Sequence, residues 1–232
     1  MSSSRLPGKV LKPILGESML EKQIERIRRS RRIDHLIVAT SVDSSDDAIV
    51  GACERLQTAC FRGSLNDVLD RFYHAAAPTG AQTIVRLTAD CPLFDAGVAD
   101  DTIDLFCSGF YDYVSNCLVR TFPDGLDTEV MSFVALERAF LEATEPSERE
   151  HVTWYLWNHP ELFRLGCLQN ARDLSGLRWT VDYPDDFAFV EKVYEVLYPV
   201  KPDFRTKDVL EFIETHPEVR SINGNFTRNK KF

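Results

Sequence analysis

The chain has 232 residues, of which 44% are hydrophobic and 27% are charged, a balance typical of a folded globular protein rather than a disordered one. No apolar run approaches the roughly 18 residues that a membrane span needs, and the residues after Met1 lack the apolar stretch of a signal peptide. We therefore predict a cytoplasmic protein without membrane contact, folded as a single domain over residues 1–232.

The net charge of −9 is unevenly distributed, because residues 1–34 carry nine lysines and arginines against four acidic residues. The acidic remainder argues against a nucleic-acid-binding protein, since such domains usually present a basic stripe. A basic N-terminal segment on an otherwise acidic protein is better suited to binding a small anionic ligand. The six cysteines show neither C-x-x-C pairs nor zinc-finger spacing, so we interpret them as buried small side chains in a reducing compartment.

Strand and helix signals alternate through almost the whole chain, which is typical of an α/β fold with a largely parallel sheet. Ser18 and Glu21 form a capping box that begins the first predicted helix, whose apolar face repeats at Leu20, Ile24 and Ile27. The predicted strand, helix, strand and helix that follow cover residues 35–41, 46–57, 59–61 and 64–77.

The second half repeats this alternation. Its predicted strands cover residues 83–87, 111–116, 126–131 and 178–182, and its predicted helices begin at residues 95, 133, 147 and 184. We interpret Ser147 and Glu150 as a further capping box, opening a helix that Pro160 stops. Pro184 stands where the first turn of a helix tolerates proline.

The segment from Ser2 to Lys9 combines small residues with two cations. Such a loop suits phosphate, because small side chains let backbone N–H groups approach the oxygens while Arg5 and Lys9 neutralise their charge. It is not a Walker A loop, since Ser3 and Val10 stand where that motif has Gly and Ser or Thr. A basic surface turn before a helix is the other interpretation of this segment.

Two aspartates each follow an apolar strand signal and precede a proline by two residues. They are Asp90, before Pro92, and Asp182, before Pro184. The carboxyl ends of parallel strands open onto one crevice, where two such carboxylates would repel unless a cation lay between them. Mg²⁺ suits this position because it accepts one or two carboxylates together with phosphate oxygens. Either aspartate alone also fits a helix cap.

Six ordered segments carry a resemblance to a known family. They are Arg5–Lys9, Gly63–Arg71, Arg86–Leu93, Gly125–Val130, Glu148–Thr153 and Arg178–Asp186. Together they resemble the spore coat polysaccharide biosynthesis protein SpsF family, within the cytidylyltransferase superfamily. The resemblance implies a three-layer α/β/α sandwich of the nucleotide-diphospho-sugar transferase type with a mostly parallel sheet. It also implies Mg²⁺-dependent transfer from CTP to a sugar acid, giving a CMP-sugar and pyrophosphate for surface polysaccharide or glycan biosynthesis.

The same resemblance implies roles for individual residues. Arg5, Lys9, Asp90 and Asp182 become the catalytic set, in which the two aspartates ligate Mg²⁺. The residues implied to bind the nucleotide are Ser3, Ser4, Arg5, Lys9 and Arg86, where Arg86 orients phosphate or sugar. The residues implied on the acceptor side are Asp127, Glu129, Arg149 and His151. For His151, a plain polar position in the first turn of a helix is the alternative. By analogy with the superfamily we also expect a homodimer.

The chain departs from the family pattern at its start. In this family a buried strand of about ten residues, ending Gln-Ala-Arg, precedes the phosphate loop. Because chain and loop begin together here, we expect the domain to be truncated before its first strand. Either Met1 is an internal methionine assigned as the start, or the chain is a decayed, non-catalytic copy. We favour the first explanation because every later segment is intact.

Two other functions stay open at this point. A glycosyltransferase on the same type of fold uses an aspartate-bound metal to hold a finished nucleotide-sugar. A non-catalytic binding subunit is compatible with a truncated domain. The released product separates these possibilities, since only nucleotidyl transfer from CTP gives pyrophosphate.

Overall fold

The computed structural model describes residues 5–224, which form the predicted α/β fold. Its first part consists of β1 (Pro13–Ile14), β2 (Glu17–Ser18), α1 (Met19–Ile27), β3 (Ile37–Ser41), α2 (Asp47–Arg55), β4 (Ala59–Gly63), α3 (Val68–Ala76) and β5 (Thr83–Arg86). Its second part consists of α4 (Ala96–Ser108), β6 (Tyr113–Ser115), β7 (Glu129–Ser132), α5 (Phe133–Glu142), α6 (Pro146–Glu150), α7 (Trp154–Asn158), β8 (Leu165–Cys167), α8 (Pro184–Leu197), α9 (Thr206–Thr215) and α10 (Pro217–Arg220).

Helix α1 begins at the predicted capping box. The Glu21 backbone N–H donates to the Ser18 hydroxyl at 3.2 Å, and the Ser18 N–H donates to the Glu21 carboxylate at 2.6 Å. These two bonds satisfy backbone donors that the first turn of a helix leaves free. The apolar face of the helix then buries Leu20 and Ile24 against Ile49 of α2. Sequence-local capping and burial together fix this helix beside β3 and β4.

The strands form two separate ladders besides the β1–β2 hairpin. Strands β3 and β4 pair in parallel, and a four-stranded sheet has the order β5-β7-β6-β8. In that sheet β7 is antiparallel to both neighbours while β6 and β8 are parallel, so three strands share one direction and β7 is reversed. Within residues 5–224 no backbone ladder joins the two sets of strands. Helix α1 connects them through side chains, since Gln23 donates to the Thr88 carbonyl beyond β5 at 2.7 Å.

The largest hydrophobic cluster supports the loop at the start of the chain. It is built around the fully buried side chains of Trp179, Val190 and Phe204, and Leu6 and Val10 pack against it from the chain start. A second cluster surrounds Tyr113 under the four-stranded sheet. Each large apolar side chain buried in this way contributes about 1.5 to 3 kcal/mol, which keeps the loops between the clusters in place.

One predicted helix is divided in two. We expected a helix capped by Ser147 and continuing to Pro160, but α6 begins at Pro146 without a side-chain cap and α7 starts again at Trp154. Between them Val152 takes the left-handed conformation, with φ of 47°. A left-handed residue interrupts the hydrogen-bond pattern of a right-handed helix, so the predicted capping box and the single helix are wrong.

The predicted strand at residues 178–182 is also wrong. This segment bends at Thr180 and Asp182 and forms only an isolated bridge, between Asp124 and Arg178. The Trp179 N–H donates to the Asp124 carbonyl at 2.6 Å, whereas the Val181 N–H donates to the Asp90 carbonyl at 2.8 Å. Because its hydrogen bonds are shared between two different loops, the segment joins those loops instead of adding to a sheet.

None of the six cysteines forms a disulfide, and burial differs among them. Cys53 and Cys91 are buried, whereas Cys107 is exposed, so the prediction that all six are buried is wrong. Burial raises the pKa of the Cys53 thiol to about 12. This thiol is therefore protonated at neutral pH and behaves as a small apolar side chain.

Within residues 5–224, no helix combines the length and the apolar character that crossing a membrane requires.

Candidate active site

The loop at the chain start turns at Gly8 and directs Lys9 inward. Gly8 lies in the left-handed region, with φ of 69°, which glycine adopts without strain. A short 3₁₀ turn from Lys9 to Leu11 follows. The Lys9 side chain is only 13% exposed, so its ammonium group lies inside the protein.

Lys9 bridges the two aspartates that the sequence singled out. Its ammonium group donates to Asp90 at 2.9 Å, to Asp182 at 3.0 Å and to the carbonyl of Val181 at 2.7 Å. The Arg5 guanidinium adds a contact of 2.8 Å to the same Asp182 oxygen. The structure thus brings together Arg5, Lys9, Asp90 and Asp182, and the cation between the two carboxylates is a lysine.

Lys9 and Asp182 each shift the pKa of the other. Burial acts to lower the pKa of Lys9, but Asp90 and Asp182 outweigh burial and raise that pKa. Burial acts to raise the pKa of Asp182, but Lys9, Arg178 and Arg5 outweigh burial and lower it. Both groups are therefore charged at neutral pH, and each stabilises the charge of the other.

Arg178 holds Asp182 from the opposite side. Its guanidinium contacts Asp124 at 3.1 Å, Asp182 at 2.9 Å and Asp186 at 2.9 Å. Asp186 is fully buried and also accepts hydrogen bonds from the backbone N–H groups of Asp182 and Tyr183, both at 3.0 Å. Sequence reasoning gave Arg178 no role, although its spacing of four residues from Asp182 was an available signal.

Gly125 allows the chain to approach Asp182 closely. Its φ of 109° is accessible to glycine but strained for other residues, and a Cβ at this position would lie 2.5 Å from the Thr180 backbone nitrogen. The neighbouring Asp124 contacts Arg178 as described above. This close packing of two loops sets the position of the segment that carries Asp182.

Arg5, Asp90, Arg178 and Asp182 line a cavity of about 1020 Å³, whereas Lys9 contacts both aspartates without lining the cavity itself. That volume is at the upper limit of roughly 300 to 1,000 Å³ for small-molecule sites, which leaves room for two substrates. We call one part of its wall the aspartate group: Arg5, Asp90, Asp124, Arg178, Asp182 and Tyr183. We call another part the tryptophan group: Arg86, Tyr113, Leu118, Glu129, His151, Thr153, Trp154 and Trp157. Asp127 also lines the cavity.

Glu129 organises the tryptophan group. Its carboxylate accepts hydrogen bonds from the Tyr113 hydroxyl at 2.7 Å and the Thr153 hydroxyl at 2.6 Å, and it forms an ion pair with Arg86. The Arg86 guanidinium also lies over the Phe72 ring, 5.9 Å from its centroid. Because several contacts satisfy Glu129 at once, Arg86 is held in one orientation at the cavity wall.

Arg149, predicted on the acceptor side, is not brought to the cavity. Arg149 contacts Asp67 with two nitrogens, at 2.9 and 2.6 Å, and donates to the Phe140 carbonyl at 2.7 Å. It does not line the cavity, and its contacts connect α6 to α3 and α5. Ser3 and Ser4, predicted to bind nucleotide, lie outside the described residues.

Sequence reasoning missed several side chains of the tryptophan group. Tyr113 and Thr153 bind Glu129, and Trp154 and Trp157 line the cavity. Two tryptophans three residues apart were the available signal, because that spacing places both on one face of a helix. Tyr113 carried no comparable signal in the sequence.

A comparison with known protein families identifies the family of this chain. The family model described as Cytidylyltransferase matches residues 1–214. The chain belongs to the cytidylyltransferase family. It is therefore a nucleotidyltransferase enzyme, and the resemblance predicted from the six sequence segments is confirmed.

Individual relatives of this cytidylyltransferase cover nearly its full length. It is 36% identical over 232 residues to the uncharacterized protein MJ1063 of Methanocaldococcus jannaschii, covering 99% of this chain and 93% of that protein. It is 31% identical over 227 residues to the spore coat polysaccharide biosynthesis protein SpsF of Bacillus subtilis, covering 94% and 92%. The solved structure of a cytidylyltransferase from Leptospira borgpetersenii matches with a TM-score of 0.91 at 31% identity, covering 99% and 95%. The predicted fold class is thus confirmed.

Proposed function

We propose that this enzyme transfers the cytidylyl group of CTP to a hydroxyl of a sugar acid, releasing pyrophosphate and a CMP-sugar for surface polysaccharide or glycan biosynthesis. The carrying observation is the convergence of Arg5 and Lys9 with Asp90 and Asp182 at one side of the cavity. The family supports cytidylyl transfer, and the name of the Bacillus relative supports the polysaccharide context.

The two aspartates fit a divalent cation. Their oxygens already converge on one cation, the Lys9 ammonium group, at 2.9 and 3.0 Å. Carboxylate oxygens completed by nucleotide phosphates are the donor set that Mg²⁺ prefers. We therefore propose that Asp90 and Asp182 hold Mg²⁺, which when bound neutralises charge on the phosphates.

The residues of the chain have distinct tasks in this reaction. Nucleotidyl transfer is an in-line displacement at the α-phosphorus, in which positioning and neutralisation of charge supply most of the catalysis. Arg5 and Lys9 bind the phosphates, and Arg178 keeps Asp182 ionised and oriented. Arg86, which the structure places with Glu129 and Thr153, faces the second substrate.

A pyrophosphate-release assay tests the proposal. The full chain is incubated with Mg²⁺, each of the four nucleoside triphosphates and a panel of sugar acids. We expect release with CTP and a sugar acid, and a loss of about 100-fold or more in Asp90→Asn and Asp182→Asn. Asp185→Asn is the matched control, because Asp185 is exposed at the start of α8 and lines no part of the cavity.

The outcomes separate the alternatives. Aspartate variants as fast as the parent contradict the proposal, and release of a nucleoside diphosphate from a sugar donor indicates a glycosyltransferase instead. The cytoplasmic location, the homodimer and the extent of the domain stay predictions.

A further inference from the structure

A buried asparagine after α10 contacts the segment that carries Asp182. Asn223 is only 4% exposed. Its side-chain amide donates to the Arg178 carbonyl at 2.8 Å and to the Asp186 carboxylate at 3.1 Å. Because burial of an amide is unfavourable unless its hydrogen bonds are made, these two contacts determine where the Asn223 side chain lies.

Both acceptors of Asn223 belong to the group that holds Asp182. One Asp186 oxygen accepts from Asn223 and, at 2.9 Å, from the Arg178 Nε. The other oxygen accepts from the Arg178 Nη2 at 3.1 Å and from the backbone N–H groups of Asp182 and Tyr183. The same Nη2 donates to the Asp182 carboxylate at 2.9 Å. A continuous series of hydrogen bonds therefore leads from Asn223 to a carboxylate at the cavity wall.

Asn223 restrains Arg178 at both ends. The Arg178 carbonyl accepts from the Asn223 amide directly, and the guanidinium is held through Asp186. An arginine side chain has several rotatable bonds, so a contact at one end alone leaves the other end free to move. Contacts to the backbone and to the guanidinium together favour the one orientation in which Arg178 faces Asp182.

The turn that carries Asn223 has other anchors. Val219 is buried in the largest hydrophobic cluster, and Ile222 packs against the same cluster. The Ile222 N–H donates to the Val219 carbonyl at 3.2 Å, and the Gly224 N–H donates to the Ser221 carbonyl at 3.3 Å. Since apolar packing and backbone bonds hold this turn, we expect it to stay in place when the Asn223 amide is removed.

We propose that Asn223 is a positioning residue for nucleotidyl transfer, which orients Arg178 and, through Arg178, the carboxylate of Asp182. This inference rests on the proposed function. Asn223 does not line the cavity, so it acts only through its partners. It also lies beyond residues 1–214, which the family model matches, so its role does not follow from membership of the family.

The variant Asn223→Leu tests the effect on the reaction, because leucine has a similar volume and no donor. We expect kcat/KM for pyrophosphate release by the full chain to fall about 10- to 100-fold, since small displacements of a site residue slow the reaction. Asn170→Leu is the matched control, with kcat/KM expected at the parental value. The Asn170 amide also donates to a backbone carbonyl, that of Arg172 at 2.8 Å, but lines no part of the cavity.

A double-mutant cycle shows whether Asn223 acts through Arg178. In the Arg178→Met background the Asp182 carboxylate has already lost this partner, so we expect Asn223→Leu to cause little further loss of kcat/KM. Additive losses indicate a general structural role and overturn the inference, as does a parental kcat/KM in Asn223→Leu alone.

Hydrogen exchange gives a readout that does not depend on activity. The N–H groups of Asp182 and Tyr183 donate to Asp186, so we expect the peptide covering residues 178–186 to exchange faster in Asn223→Leu and at the parental rate in Asn170→Leu. Unchanged exchange in Asn223→Leu overturns the inference alone. A parent enzyme that releases no pyrophosphate from any nucleotide overturns the proposed function and this inference with it.

Discussion

Lys9 is the residue on which the charge balance of the aspartate group depends. Its ammonium group contacts both Asp90 and Asp182, and all three side chains are more than two-thirds buried. Two carboxylates this close repel each other unless a cation separates them. The sequence predicted Mg²⁺ between these carboxylates, and in the structure the Lys9 ammonium group lies between them.

Replacement of Lys9 by methionine tests this balance. The variant removes a residue that we propose to bind phosphate and leaves the two carboxylates facing each other, so we expect kcat/KM to fall by about 10² to 10³. Pyrophosphate release measures the effect, and thermal unfolding shows whether the fold is retained. Lys12→Met is the control, because Lys12 lies over the Phe187 ring and, unlike Lys9, is not paired with Asp90 or Asp182. Equal losses in both variants contradict a specific role for Lys9.

Arg149 is the opposite case. The sequence predicted it as a site residue, but in the structure its side chain holds neighbouring helices together. Arg149→Met removes the paired contact to Asp67 and the bond to the Phe140 carbonyl. We expect a loss of roughly 1 to 3 kcal/mol in the free energy of unfolding, with kcat unchanged. Urea unfolding and initial rates measure the two effects, and an Asp67→Asn double-mutant cycle isolates the pair. A lower kcat at unchanged stability contradicts this prediction and indicates that Arg149 acts in the active site.

At the scale of elements, the loop at Gly125 and the segment at residues 178–182 form one unit. Asp124 bridges to Arg178, and the Trp179 and Val181 N–H groups donate to two different loops. Any side chain at position 125 separates these loops, because there is no space between them. The position of Asp182 therefore depends on a glycine that is 57 residues away in the sequence.

The substitution Gly125→Ala is expected to lower both stability and activity. Its Cβ would lie 2.5 Å from the Thr180 nitrogen and 2.6 Å from the Trp179 carbonyl carbon, so overpacking and strain destabilise the fold by roughly 3 kcal/mol. Gly80→Ala is the matched control. Gly80 also has a positive φ, 69°, but nothing lies within 4 Å of its Cβ position, so we expect a loss of about 1 kcal/mol and normal kcat. Chemical denaturation and pyrophosphate release compare the two, and similar results for both variants contradict the prediction.

At the scale of the whole molecule, buried aspartates connect separate elements of the fold. Asp95, which caps α4, accepts from the Thr206 N–H at 2.8 Å and the Thr206 hydroxyl at 2.6 Å, and so links α4 to α9. Asp46 accepts from the hydroxyls of Thr40 at 2.7 Å and Ser41 at 2.6 Å. These bonds require ionised carboxylates, which makes the stability of the fold sensitive to acid.

The unfolding free energy is expected to fall on acidification. Burial acts to raise the pKa of Asp46, Asp95 and Asp182, but hydrogen bonds and nearby cations outweigh it and lower each pKa. A lowered pKa in the folded state gives stability that is present above the unfolded value of about 3.9 and is lost as the pH falls toward the folded value. Urea unfolding at pH 7 and pH 3 measures this loss. We expect Asp95→Asn to have a lower unfolding free energy than the parent at pH 7 and a smaller difference from the parent at pH 3. An equal difference at both pH values contradicts this account.

The sequence alone determined the features that depend on neighbouring residues. The capping box of Ser18 and Glu21, the alternation of helices and strands, and the motifs at Asp90 and Asp182 are all written within a few consecutive residues. The family was predictable for the same reason, since its six segments are local and occur in order. The division of the helix at Val152 was not predictable, because a buried valine in a left-handed conformation is imposed by its packing and contradicts its local preference.

Only the tertiary structure decided which charged groups pair. Lys9 contacts Asp182 across 173 positions of the chain, and Arg149 contacts Asp67 across 82. No local pattern distinguishes these partners from the other charged residues, because the pairing follows from which loops and helices the folded chain brings together. For that reason the sequence named Arg5, Lys9 and both aspartates as candidates, while the fold decided that Lys9 bridges the aspartates and that Arg149 lies elsewhere.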